Sequence, residues 1–259
     1  MASQRAFLAT AGLLFAASAT ATVVWGASMT TMGGMPMPGG WTLSMAWMPM
    51  CGQTWLGAAS SFLGMWVVMM VAMMLPCLVP MLGRYRQAVG RAGVMRLGRL
   101  TTLVGSAYFL VWAMWGVAAF PLGAALAELA LRQPEVARAL PIAAGLVVLL
   151  AGALQFTAWK ARHLACCREA PGQASIMPTD AGTALRHGLR LGLRCSYSCG
   201  GLMVILLVLG VMDLSIMALV TAAITIERLA PGGSRVAQAI GAIAVTAGLL
   251  LIAGAVASA

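Results

Sequence analysis

Residues 65–82 read MWVVMMVAMMLPCLVPML, an apolar run without a single charged residue. A bilayer hydrocarbon core about 30 Å thick requires roughly 20 consecutive apolar residues in a helix that crosses it. With its apolar flanks the run reaches that length, so the sequence predicts a transmembrane helix over about 58–82. This helix combines the length of a membrane span with a high density of sulfur-bearing side chains.

The composition of the whole chain indicates the same class of protein. Of its 259 residues, 61% are hydrophobic and 8% are charged, and the mean hydropathy is +0.94. A soluble domain carries about a quarter charged residues, so this chain lacks the polar groups to cover a water-exposed surface. The composition argues against a soluble enzyme, a disordered chain or a nucleic-acid-binding domain, and it predicts an integral membrane protein.

Six apolar stretches are long enough to cross a bilayer. They predict an all-α fold: a polytopic membrane helix bundle of about six transmembrane helices, forming a single membrane domain over 1–259. The stretches are about 6–28, 58–82, 101–128, 139–159, 199–227 and 236–257. The fifth holds Asp213 near its middle and is therefore expected to bend or divide. The first resembles a signal peptide, with Arg5 before the apolar run and Ala17-Ser18-Ala19 after it, but we expect it to be retained as a helix.

The positions of the basic residues predict the orientation of the bundle. The loops 83–100 and 160–198, together with Arg5, carry twelve of the sixteen basic residues on one side. The other four are Arg132, Arg138, Arg228 and Arg235. Because cytoplasmic loops carry the excess of Lys and Arg, both termini are predicted to be cytoplasmic and segment 29–57 to face outward. The net charge of +10 is then explained by topology, without a nucleic-acid partner.

The outward segment is rich in methionine, glycine and proline, and it has no charge between Met29 and Trp55. Its close spacing of sulfur-bearing residues allows several of them to reach one ion. These residues are Met29, Met32, Met35, Met37, Met45, Met48, Met50 and Cys51. A thioether is soft and uncharged, which suits Cu(I) and poorly suits Zn, Mg or Ca. The segment predicts metal capture; the alternative is an apolar loop anchored at the membrane surface by Trp41, Trp47 and Trp55.

The sulfur-bearing residues of the second span fall on two adjoining faces of a helix. One face, an arc of about 60°, carries Met70, Met74, Cys77 and Met81. The adjoining face carries Met65, Met69 and Met73. Pro76 and Pro80 remove backbone donors and free carbonyl groups at depth. We predict that this stripe contacts metal, although packing is the better explanation for any single methionine.

The fifth span shows a comparable pattern. One face, within about 80°, carries Cys195, Cys199, Met203, Asp213 and Met217. A carboxylate near the bilayer centre is costly, so Asp213 is a candidate ion ligand, proton carrier or partner of another helix. Glu227 and Arg228 are expected at the outward end of this span, where an interfacial position is the alternative to a role in the site.

A group of thiols and imidazoles is expected on the cytoplasmic side. It comprises His163, Cys166, Cys167, His187, Cys195 and Cys199. Such groups hold Cu(I) or Zn(II), whereas reduced cytosolic thiols are often inert, and the sequence leaves both interpretations open. The chain has no Ser–His–acid arrangement, phosphate-binding glycine loop or nucleotide fingerprint, so we predict that it is not an enzyme.

Three segments together resemble a known family. They are MWVVMMVAMMLPCLVP in the second span, QFTAWKARHLACCREAP over 155–171, and RHGLRLGLRCSYSCGGLMVILLVLGVMDLSIMALVTAAITIERLAP over 186–231. They are similar to a bacterial domain-of-unknown-function family of predicted metal-binding integral membrane proteins. Some of its members are described as membrane copper chaperones for copper oxidases of the tyrosinase type.

The resemblance implies copper binding in a polytopic bundle of the bacterial inner membrane, with a client copper enzyme as partner. Carried over by position, it implies a role for Met69, Met73, Met74, Lys160, Cys166, Cys195, Cys199, Met203 and Glu227. The chain departs from the family pattern at three places. Ser198 and Gly200 stand where members have Cys and Trp, and Asp213 stands where members tend to have Asn.

These observations predict a membrane protein that captures Cu(I) through Met and Cys ligands and delivers it to a client copper enzyme. Two alternatives remain open at this point. One is an ion or small-solute permease that depends on Asp213, and the other is an accessory or structural subunit of a larger membrane complex.

Overall fold

A computed structural model describes residues 2–31, 33–49, 52–89, 94–168 and 180–257. The elements, in chain order, are α1 (Ala2–Thr31), β1 (Met35–Met37), β2 (Trp41–Leu43), one turn of 3₁₀ helix (Met45–Trp47), α2 (Trp55–Val89), α3 (Val94–Arg132), α4 (Pro134–Leu154), α5 (Ala158–Arg168), α6 (Ala181–Gly210), α7 (Leu214–Leu229) and α8 (Gly233–Ala257).

Six of these helices are long and apolar enough to cross a membrane. They are α1, α2, α3, α4, α6 and α8, over Gln4–Met29, Trp55–Val89, Arg96–Arg132, Pro134–Leu154, Ala181–Gly210 and Gly233–Ala257. The predicted all-α bundle with six long spans is thus confirmed, and the chain is a multi-pass membrane protein. α2 continues through Pro76 and Pro80 rather than breaking at them.

The fifth predicted span, 199–227, is divided between two helices. α6 begins much earlier, at Ala181, and ends at Gly210, whose φ of 141° favours glycine. The Asp213 side chain then accepts hydrogen bonds from the backbone N–H groups of Ser215 and Ile216 and caps α7. With 16 residues α7 is about 24 Å long, shorter than a full span.

Contacts between neighbouring helices fix their directions. α1, α3, α6 and α8 run one way, and α2, α4 and α7 run the other. The pairs that establish this are Phe7–Arg86 and Trp25–Gly64 for α1 with α2, Trp66–Trp112 and Arg86–Thr101 for α2 with α3, Tyr85–His187 and Met74–Cys195 for α2 with α6, and Gly145–Gly248 and Gly152–Gly241 for α4 with α8. α7 begins next to the end of α6, and Arg228 near the end of α7 contacts Cys195 in the middle of α6, so these two helices are antiparallel. α4 follows α3 after the single residue Gln133, which makes these two helices antiparallel neighbours.

These directions place the start of α1 and the end of α8 at opposite ends of the bundle. The prediction of two cytoplasmic termini rests on counting 199–227 as a single crossing. The structure has two antiparallel helices there, α6 and α7, and the additional helix places the C-terminal end of α8 at the other end of the bundle. One end, here called the basic end, carries Arg5, Arg84, Arg86, Arg96, Arg99, Arg162, Arg186, Arg190 and Arg235. Lys160 and Arg194 lie deeper, at the level of the α6 cysteines. The other, here called the methionine end, carries residues 33–49, Arg132 and Arg138. Arg235, which had been assigned to the sparsely charged side, therefore belongs to the basic end.

The outward methionine segment forms a short hairpin that packs on the α3–α4 connection. β1 and β2 pair antiparallel, with Met37 opposite Trp41, and the Trp41 indole N–H donates to the Ala137 carbonyl at 2.9 Å. Met37 and Leu43 are buried against alanines of α3 and α4. These two side chains therefore contribute to packing between the hairpin and the helices.

Small residues allow two helix pairs to approach closely, as is common in membrane bundles. In α4 and α8, a Cβ atom added to Gly152 would lie 2.7 Å from the Val245 backbone nitrogen. In α3 and α6, one added to Gly188 would lie 2.4 Å from the Val104 carbonyl oxygen. The close contact of α6 with α3 brings the cysteine-bearing turn of α6 into the centre of the bundle, where it faces α2.

Candidate metal centre

Three sulfur atoms from α2 and α6 meet in the interior of the bundle. Cys195 Sγ lies 3.7 Å from Cys199 Sγ on the same helix and 4.0 Å from Met74 Sδ on α2. All three side chains are buried, with at most 1% of their surface exposed. Both cysteines are free thiols. The two cysteines face Met74 together because residues four apart lie on one side of a helix.

The spacing of these atoms suits a single soft metal ion. A thiolate binds a metal at about 2.3 Å, and two such ligands separated by 109° to 120° would lie about 3.8 to 4.0 Å apart. The observed separations from Cys195 to Cys199 and to Met74 are 3.7 and 4.0 Å. Cys195 is therefore at a suitable distance to share an ion with either of the other two sulfur atoms. Two thiols and a thioether form a donor set that suits Cu(I).

Tyr108 of α3 completes the immediate surroundings of the sulfur atoms. Its hydroxyl oxygen lies 2.8 Å from Cys195 Sγ, and the side chain is fully buried. The Cys199 thiol donates to the Cys195 carbonyl at 3.0 Å. A hydroxyl that donates to a thiolate both stabilises the charge and orients the ligand, as groups around metal ligands commonly do. No local sequence pattern indicated Tyr108, because only the packing of α3 on α6 brings it to the cysteines.

A buried ionic network lies one turn from the cysteines. Lys160 Nζ lies 2.8 Å from Glu227 Oε2 and also donates to the Ser198 carbonyl. Arg228 donates to Ser198 Oγ at 2.5 Å and to the Cys195 carbonyl at 3.4 Å. Glu227 and Arg228 are thus buried beside α6, which excludes the interfacial alternative and the expected position at the outward end. The reason is that α7 runs back along α6 toward the basic end.

Four further methionines of α2 lie between the level of this centre and the methionine end. Met65, Met69, Met70 and Met73 are all buried in the main core cluster. Met203 is buried one turn beyond Cys199 and lines an apolar cavity of about 570 Å³ between α3, α4 and α6. These residues surround the three-sulfur centre or extend from it, and the predicted metal contact of each one stays a prediction.

Other predicted ligands lie apart from the three-sulfur centre. Cys77 turns toward α7, where its Sγ atom lies 3.7 Å from Thr225 Oγ1. Met81 is half-buried about one turn further along α2. Met45 and Met48 lie at the methionine end, beside Met65. Met50, Cys51, Met32 and the side chains of Cys166 and Cys167 lie outside the described residues.

Asp213 is not on the face that carries the cysteines. Its carboxylate is exposed, and it accepts hydrogen bonds at 2.8 Å from the Ser215 N–H and at 3.1 Å from the Ile216 N–H. The prediction that Asp213 shares a face with Cys195 required one continuous helix. The helix ends at Gly210, so the periodicity of α6 does not extend to Asp213. Capping of α7 gives this carboxylate a structural role.

The two histidines contact aromatic rings. His163 lies between Trp159 and Tyr197, with centroid distances of 4.5 and 5.5 Å, and His187 stacks on Tyr85 at 5.3 Å. Within the described ranges, no group of three or more His, Cys, Asp or Glu side chains is arranged to hold a metal ion. The three-sulfur centre instead depends on a methionine together with two cysteines.

A multi-pass helix bundle with a buried thiol and thioether cluster defines a membrane protein suited to soft metal ions. The chain belongs to the copper chaperone family PpoB2, whose model matches residues 63–251. The match includes the α2 methionines, the Cys195 turn and the ionic network. No curated protein and no solved structure matches the chain.

Proposed function

We propose that this protein binds Cu(I) at Cys195, Cys199 and Met74 and delivers it to a client copper enzyme. Membership of a copper chaperone family supports the copper-related role. The observation that carries the proposal is the approach of Cys195 Sγ to two further sulfur atoms, at 3.7 and 4.0 Å. Copper is the cargo of this function, and no catalytic step is required of the protein.

The charges around the centre favour a monovalent ion. Two thiolates and one Cu(I) together carry one net negative charge. Lys160 and Arg228, less the carboxylate of Glu227, carry one net positive charge, and all three side chains are buried. Because uncompensated charge is costly in a buried site, the loaded centre is neutral with Cu(I). A divalent ion in the same place would leave a positive charge.

Delivery then consists of ligand exchange between sulfur atoms. The thiols lose their protons when the ion binds, and they recover protons when it leaves. Neutral thioethers hold Cu(I) without this exchange of protons, so the buried methionines of α2 offer weaker sites between the centre and the methionine end. A client with stronger ligands would remove the ion by the same exchange.

The orientation of the protein follows from its charge. Cytoplasmic segments carry the excess of Lys and Arg, so we propose that the basic end faces the cytoplasm of a bacterial inner membrane. The N-terminal end of α1 is then cytoplasmic, and the C-terminal end of α8 and the methionine end face outward.

Anaerobic titration with Cu(I) against a coloured Cu(I) chelator tests the binding site. The purified full chain is compared with the double variant C195A/C199A and with C77A as a matched control, since Cys77 is equally buried but faces α7. We expect the double variant to lose the tightly held ion and C77A to keep it. Equal affinity in all three proteins would overturn the proposed site.

Delivery requires a separate test. The copper-loaded protein in detergent is mixed with the copper-free form of a tyrosinase-type oxidase from the same cells, and oxidase activity is followed over time. We expect activity to appear with the wild-type protein and not with C195A/C199A mixed with the same total copper. Equal activation by both proteins would show that free copper, rather than the chaperone, supplies the enzyme.

A further inference from the structure

We propose a second Cu(I) site, built only of thioethers, at the methionine end of the bundle. A cavity of about 20 Å³ lies between α1, the 3₁₀ turn, α2 and the connection from α6 to α7. Five methionine side chains from these segments line it. They are Met29, Met45, Met48, Met65 and Met212. The inference rests on the proposed copper-binding function and names the place where the ion first binds.

The methionines that line the cavity come from separate segments of the chain. Met29 belongs to α1 and Met212 follows α6, so they are far apart in sequence and converge only in the folded chain. Methionine is an adaptable residue that fills irregular gaps in cores, yet here a space remains between the side chains. Met35 and Met37 of the same outward segment lie elsewhere and pack against α3 and α4.

The size and lining of the cavity suit one desolvated monovalent ion. A site that holds one water molecule needs roughly 10–15 Å³ measured in this way, so about 20 Å³ accommodates a single ion. The other lining residues are Trp25, Ala46, Gln53, Ala58, Ser61 and Phe62. None of the described residues that line the cavity is a carboxylate, a histidine or a thiol. A donor set of neutral thioethers selects a soft monovalent ion over Zn, Mg and Ca.

The lining of the cavity includes both half-buried and buried methionines. Met29, Met45, Met48 and Met212 are half-buried, whereas Met65 is buried. Met69 and Met73 follow Met65 at successive turns on one face of α2. Met74 of the three-sulfur centre is nine residues beyond Met65, which corresponds to about 14 Å along the helix. The methionine site therefore lies on the same helix as the three-sulfur centre, nearer its outer end, whereas Met74 points to the opposite side of α2 from Met65.

Protonation distinguishes the two sites. Cysteine thiols have an ordinary pKa near 8.5 and must lose a proton to bind metal tightly. Thioethers have no proton to lose. Copper bound at the methionine site is therefore expected to keep the same affinity between about pH 5.5 and pH 7.5.

The test uses the full chain in detergent and Cu(I) itself, under anaerobic conditions, at both pH values. The triple variant M29L/M45L/M212L is compared with the control M35L/M37L, since leucine and methionine have similar volumes and these exchanges preserve packing. We expect the wild-type protein and the control to bind a second ion with pH-independent affinity. The triple variant should lose that ion and keep the ion held by the cysteines. An unchanged number of bound ions in the triple variant would overturn the proposal.

A second measurement separates this proposal from the proposed function. In C195A/C199A, which still contains all five methionines, we expect one Cu(I) to remain bound, and its X-ray absorption spectrum should show sulfur neighbours only. This measurement also tests the site without changing any of its side chains. Copper with nitrogen or oxygen neighbours, or no bound copper in this variant, would overturn the methionine site even if the cysteine site is correct.

Discussion

Removal of the ammonium group of Lys160 should destabilise the protein far more than removal of an exposed cation that makes an equally close contact. Lys160 Nζ lies 2.8 Å from Glu227 Oε2, and only 6% and 2% of the two side chains are exposed. The other carboxylate oxygen of Glu227 has no hydrogen-bond partner among the described residues. Loss of one member of a buried ion pair typically costs about 3–5 kcal/mol, because the other charge stays buried without compensation.

Arg132 provides the matched control. Its NH2 group lies 2.5 Å from Glu128 Oε1, but 74% and 53% of these side chains are exposed. An exposed pair of residues four apart on a helix contributes about 0.3–0.5 kcal/mol. If distance alone determined the contribution, Arg132 would matter as much as Lys160, whereas burial predicts roughly a tenfold difference in free energy.

The assay is unfolding of the purified protein by SDS in mixed micelles, followed by circular dichroism. We expect K160M to lower the free energy of unfolding by about 3–5 kcal/mol, and R132M to change it by less than about 1 kcal/mol. The double variant K160M/E227Q should recover most of the loss, since it leaves no uncompensated carboxylate. A K160M variant that is as stable as R132M would refute the argument that this buried pair holds α5 and α7 against α6.

Three further predictions follow from the packing. Y108F should bind Cu(I) about 10–100-fold more weakly than wild type in a chelator competition, because a hydrogen bond to Cys195 Sγ is lost; unchanged affinity would show that the hydroxyl does not support the ligand. G152V should lower thermal stability by about 1–3 kcal/mol, since α4 and α8 are in contact at this glycine. G200V is the control, because a Cβ atom at Gly200 has nothing within 4 Å. Equal melting temperatures of the two variants would contradict the helix contact. An alkaline phosphatase fused after Ala257 should be active outside the cytoplasm, and an inactive fusion would contradict the helix directions.

Local sequence patterns predicted a large part of this fold. The length of each apolar stretch determined the number of long spans, because a bilayer sets the length of the helix that crosses it. The spacing of Cys195 and Cys199 placed both thiols on one helix face, and the same rule placed Met70 and Met74 together. These features depend on residues close in sequence, so they could be read without knowledge of the fold.

The remaining features depend on contacts between distant parts of the chain. Lys160 and Glu227 are 67 positions apart, and their pairing requires α7 to run back along α6. That reversal depends on the short interruption between Gly210 and Asp213. The predicted span treated Asp213 as a buried acid, although the carboxylate caps the next helix. An apolar stretch that is long enough for one span gives little indication that it contains two helices. For this reason the end of α8 was predicted at the same end of the bundle as the start of α1, whereas the structure places it at the opposite end.

Identification of the atoms that bind the ion shows whether Cys195, Cys199 and Met74 form the copper site. The full-length protein is loaded anaerobically with one equivalent of Cu(I) at neutral pH, desalted, and examined by copper X-ray absorption spectroscopy. We expect retained Cu(I) with sulfur neighbours only, at about 2.3 Å, and a loss of the short thiolate distances in C195A/C199A. Retained copper with nitrogen or oxygen neighbours, or the same spectrum in the double variant, would contradict a centre formed by Cys195, Cys199 and Met74.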